Sequence, residues 1–164
     1  MILTMEKLNN LLNAFSKKYP QLKNVKIEII PYNNLYIARC LADKVGNYIQ
    51  VKKGRIQNVI PRKILLTNIV MNKKHDDLIF IFIHECTHGI TPQRERKVKN
   101  NYIRIDHSRH FYENFLDLLS FAYELKYISY KYNNIEELMK RDNRIENIKN
   151  DLKLYNLQKN NMTF

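Results

Sequence analysis

Apolar residues fall along this chain in three successive rhythms: helical spacing, then alternation, then helical spacing again. Leu8, Leu11, Leu12 and Phe15 recur at intervals of three and four and mark one stripe of a helix. Thr4 can cap that helix, although Lys7 stands where a capping-box glutamate would, and Tyr19-Pro20 ends it just after Lys18. Val25, Ile27 and Ile29 then alternate with Lys26, Glu28 and Ile30, which predicts a strand. Pro31 and Asn33-Asn34 predict a turn, Leu35 to Ala42 a second strand and Asn47 to Lys52 a third, with Val45-Gly46 turning the chain between them. After a Lys53-Gly54 turn, Ile60 to Val70 reads as one more strand, and Pro61 near its start suits an edge.

The rhythm becomes helical again near Lys74 to Asp77, where Asp76 and Asp77 suit the positive end of a helix dipole. Leu78 to Ile83 is apolar on all sides, so this helix should be central and buried, with Thr91-Pro92 stopping it. Residues 93–106 are polar and basic and read as a loop. A long helix should follow from Ser108 to about Tyr132, carrying Phe111, Phe115, Leu118, Leu119, Ala122, Leu125 and Ile128 on one side. Asn133-Asn134 breaks it, and Ile135 to about Leu157 predicts a last helix. The order is one N-terminal helix, a small sheet of three or four strands, then three helices: an α+β fold in one domain over residues 1–164.

The buried helix ends in chemistry. His84-Glu85-Cys86-Thr87-His88 reads H-E-x-x-H, and residues four apart on a helix lie on one face, one above the other. His84 and His88 can therefore bind one zinc ion, with Glu85 beside them as general base toward a zinc-activated water. A catalytic zinc needs a third protein ligand. The continuation H-x-x-G-x-x-H is absent, since Thr91 and Arg94 occupy those positions. The remaining candidates downstream are Glu113, Glu124, His107 and His110.

Composition narrows the setting. A net charge of +12 and a pI near 9.7 favour a nucleic acid or another anionic partner, or else a solvated lysine surface. Arg94, Arg96, Lys97, Lys99 and Arg104 gather in the 93–106 segment as candidate nucleic-acid contacts. Cys40 and Cys86 give neither a CxxC pair nor a disulfide framework, and Cys86 inside the helix should be a buried thiol. The N-terminus soon turns polar and the longest apolar run is far too short to span a bilayer. The expectation is a soluble, reduced, intracellular protein of cytoplasm or nucleus, without a membrane partner.

The segment His107-Ser108-Arg109-His110-Phe111-Tyr112-Glu113-Asn114-Phe115 resembles the H-x-x-x-F-[W/Y]-x-x-F element of the WLM and SprT-like zinc metalloproteases. Together with the H-E-x-x-H helix the resemblance covers roughly residues 60–125. It implies a minimal zincin-like protease domain, one Zn2+, His107 as third ligand with His110 the alternative, and Phe111 as a core anchor. Two features depart from the pattern: the 18 residues between His88 and His107, and Ser108 where glycine or asparagine is common. The resemblance further implies protein substrates, including proteins associated with DNA. The chain is similar to short single-domain WLM-type proteins of large DNA viruses, whose setting would be an infected cell or a virion. Tyr112, Arg109 and Tyr102 are candidate donors to a tetrahedral intermediate. The contrasting reading is a basic nucleic-acid-binding protein on the same scaffold, with catalysis vestigial or absent.

Overall fold

The computed structural model describes residues 2–145. Helix α1 spans Ile2–Lys18, and its predicted stripe of Leu8, Leu11, Leu12 and Phe15 is wholly buried. Lys17 and Lys18 complement its C-terminal dipole. A single 3-10 turn, Pro20–Leu22, leads into the sheet.

The sheet has five strands rather than three or four: β1 Lys26–Ile30, β2 Ala38–Val51, β3 Gly54–Thr67, β4 Gln93–Val98 and β5 Asn101–Ile105. The two strands expected over 35–42 and 47–52 are one. What read as a turn at Val45-Gly46 is an irregularity in the ladder, where Gly46 adopts φ +73° and the register shifts between Val45 and Ile49. The basic segment expected to be a loop is the antiparallel β4–β5 hairpin. The last expected strand also shifts, since β3 begins at Gly54 and ends at Thr67, after which Asn68–Met71 form a short helix, α2.

β3 is the strand on which the sheet is built. Along one edge it pairs antiparallel with β2; along the other it takes β4 at Gly54–Gln57 and β1, in parallel, at Lys63–Thr67. Pro61 therefore sits in a central strand and not at an edge. It is tolerated because residues 58–62 have no strand on that second side, and because the β2 register slips beside it between Leu41 and Ala42.

Helix α3, His75–Ile90, packs on β2 and β3, and every residue from Leu78 to Thr87 is buried. Gly89 explains how closely it lies: a β-carbon there would stand 2.8 Å from Pro61 Cβ. Helix α4, Arg109–Glu124, crosses α3 and presents Phe111, Phe115, Leu118, Leu119 and Ala122 to the same core. It ends well before the expected Tyr132. Lys126 turns left-handed at φ +65° while the Tyr127 N–H reaches the Ala122 carbonyl at 2.9 Å, a Schellman closure. Residues 135–145 form a further helix, α5, and the rest of the helix expected to reach Leu157 lies outside the described residues. Within them the molecule is α+β, and no helix is long and apolar enough to cross a membrane.

Candidate metal centre

α3 delivers two of the candidate ligands and the β5–α4 junction delivers the third. Ser108 caps α4 by accepting a hydrogen bond from the Phe111 N–H at 3.2 Å, which fixes His107 just before the first turn. Asn114 donates to Thr91 Oγ1 at 3.0 Å and ties α4 to the end of α3. The long connection between His88 and His107 is thus absorbed by an ordered hairpin.

His84, His88 and His107 converge, with ligand atoms within 4.8 Å of one another. His88 Nε2 lies 3.2 Å from His84 Nε2 and 3.3 Å from His107 Nε2. Tetrahedral bonds to zinc of about 2.0–2.1 Å place neighbouring nitrogens roughly 3.3 Å apart, so these donors fit that ion. The Phe111 ring is the floor beneath them, with centroids 5.1, 4.6 and 4.8 Å from the His84, His88 and His107 rings.

Asp142, on α5, is the residue the sequence reading did not single out. It is fully buried, and its Oδ1 stands 2.7 Å from His84 Nδ1 while Oδ2 accepts from the Tyr112 hydroxyl at 3.0 Å. Burial alone raises its carboxyl pKa. The hydrogen bond and charge of His84, the charge of His107 and the Tyr112 hydroxyl outweigh that, and the group is held below its ordinary value. An ionised carboxylate only accepts, so Nδ1 of His84 carries the proton and Nε2 turns its lone pair to the cluster.

The histidines and buried Glu85 open on a cavity of about 780 Å3 walled by β2, β3 and the β5–α4 junction. Cys40 lines it too, but burial and then the nearby Glu85 charge push its thiol up to about 12. Cys86 is buried, and burial first, then the neighbouring Cys40 and Glu85, raises its thiol as well.

The other candidates fall elsewhere. His110 is exposed and stands outside the cluster. Glu113 is exposed and pairs with Arg109 at 3.2 Å, and Glu124 is exposed at the end of α4. His75 is exposed near the start of α3, with Nε2 3.0 Å from the Tyr127 carbonyl. Of the proposed donors to an intermediate, Tyr112 is committed to Asp142, Arg109 to Glu113, and Tyr102 stacks on Arg55 at 3.8 Å. Of the basic residues of the hairpin only Arg104 reaches the cavity, where it pairs with Asp106. Arg39, Arg62 and Lys63 from β2 and β3 join it there, and no motif in the sequence marked them. Compared with known proteins, the chain matches no family model, no curated protein and no solved structure.

Proposed function

We propose that this chain is a zinc-dependent endopeptidase of the WLM and SprT-like kind on a minimal zincin-like frame, acting on protein or peptide substrates. One observation carries the reading: three imidazoles from two distant segments converge, His88 standing at tetrahedral spacing from both of the others, while Glu85 opens on the same cavity. Three donors leave one position open, whereas structural zinc sites are closed by four protein ligands. When bound, zinc lowers the pKa of water and polarises a carbonyl.

The residues of the chain supply the rest. Asp142 and Phe111 fix the rings, so the donors need no rearrangement. Glu85 takes a proton from the attacking water and passes it to the leaving amine. Its burial places the carboxyl in a setting less polar than bulk water, where its charge acts more strongly on a bound partner. The raised Cys40 thiol is not a thiolate near neutrality, which argues against a cysteine nucleophile in the same cavity.

Purified protein should hold about one zinc per chain. Glu85→Gln should keep that zinc and lose roughly 100-fold or more of any peptidase or self-cleavage activity. Metal-free protein after zinc-supplemented preparation, or full activity in Glu85→Gln, would sink the reading.

A further inference from the structure

Two turns of the sheet carry lysine where the backbone favours glycine. Lys53 has φ +63° and Lys99 φ +56°, a left-handed conformation that costs a residue with a β-carbon about 1 kcal/mol or more. Both turns lie at the same end of the sheet, since Gly54 pairs with Arg96 and the Lys97 N–H donates to the Lys53 carbonyl at 2.9 Å. Gly54 permits this approach: a β-carbon there would meet the Glu95 carbonyl oxygen at 2.0 Å. Arg94 donates from Nη2 to the Lys52 carbonyl at 3.2 Å, which tethers the guanidinium to the turn and leaves other N–H groups for a ligand.

The result is a hollow of about 290 Å3 lined by Lys52, Lys53, Arg94, Arg96 and Ile105. None of its four cations forms an ion pair among the described residues, whereas neighbouring Arg55, Arg62, Lys63 and Arg104 each have a carboxylate. None of the four lines the histidine cavity; Ile105 stands between the two.

We propose that this hollow binds phosphodiester groups of a nucleic acid, the strand running from the Lys52-Lys53 turn toward Lys99. Four unpaired cations around one concavity call for concentrated negative charge, and the guanidinium forks of Arg94 and Arg96 match phosphate oxygens. Strand alternation places those two on one face, about 6.5 Å apart. Lys97, between Arg96 and Val98 on β4, points to the opposite face by the same alternation. A flat lipid surface cannot meet cations on both faces of a ribbon, whereas a polyanionic strand can follow them. The inference is independent of the hydrolase reading.

The test is fluorescence anisotropy with a fluorescein-labelled DNA single strand and its duplex, on a Glu85→Gln background so that no cleavage intrudes. Arg94→Ala/Arg96→Ala and Lys52→Ala/Lys53→Gly (glycine keeps the turn) should each weaken binding roughly tenfold or more. Each should also flatten the dependence of log K on log salt by about 1 per lost contact. Lys7→Ala/Lys17→Ala, two exposed lysines of α1, should change affinity by less than about threefold. Equal loss in that control, competition by polyglutamate as strong as by DNA, or binding indifferent to the hollow would overturn the proposal. So would sedimentation with phosphatidylserine vesicles that depends on Arg94 and Arg96 while DNA binding does not.

Discussion

Asp142 occupies a position where a hydrophobe belongs. Ile135, Leu138, Asp142 and Ile145 are spaced three, four and three residues apart, one helical stripe with a carboxylate in it. A buried carboxylate is costly unless fully partnered, and this one has His84 and Tyr112. Replacing it by asparagine leaves the shape but weakens the hold on the His84 tautomer. Asp142→Asn should therefore lower zinc affinity about 10- to 100-fold, read by competition with a chelator, with little change in circular dichroism. Unchanged affinity would show that His84 needs no such partner. The stripe is visible in the sequence, but its partner lies 58 positions upstream, and nothing local names it. His84, Glu85 and His88 were legible because helical geometry alone brings them together. His107 was legible only through the aromatic pattern after it, and Ser108, which breaks that pattern, turns out to be the helix cap.

Among the elements, helices were read well and strands poorly, for a physical reason. A helix writes its core face into its own spacing, as α1 and α4 do. The β4–β5 hairpin is polar on both faces, so Arg94, Glu95, Arg96 and Lys97 look like a solvated loop until β3 supplies their pairing. β2 was split in two because Gly46 marks a bulge as readily as a turn. The end of α4 was misplaced since Leu125 and Ile128 continue its apolar rhythm beyond the point where Lys126 reverses the backbone. A left-handed lysine at that closure is not the cheapest residue. Lys126→Gly should stabilise the protein by about 0.5–1 kcal/mol, measured as a shift of the urea midpoint at constant slope. A loss of stability would mean that the lysine side chain contributes more than its backbone costs.

For the molecule as a whole, a charge of +12 on 164 residues is a self-repulsion spread over the surface. Raising salt from about 10 to 150 mM shortens the screening length from about 30 to 8 Å. The melting temperature should rise over that range, and a fall would mean that surface ion pairs outweigh the repulsion. The five-stranded sheet also has an order of assembly written into it. β3 and β2 are neighbours in sequence, joined by the Lys52-Lys53 turn alone, whereas β1 and β4 reach β3 from distant parts of the chain. Loop-closure entropy delays those distant pairings until the local one exists. The strained two-lysine turn is thereby a kinetic gate. Lys53→Gly should speed refolding more than it slows unfolding in stopped-flow chevrons, because the turn closes before the rest of the sheet can dock. A slowing confined to the unfolding arm would place the turn late instead. The turn proposed to receive an anion at the rim of the finished sheet would then also set how fast a newly made chain becomes one.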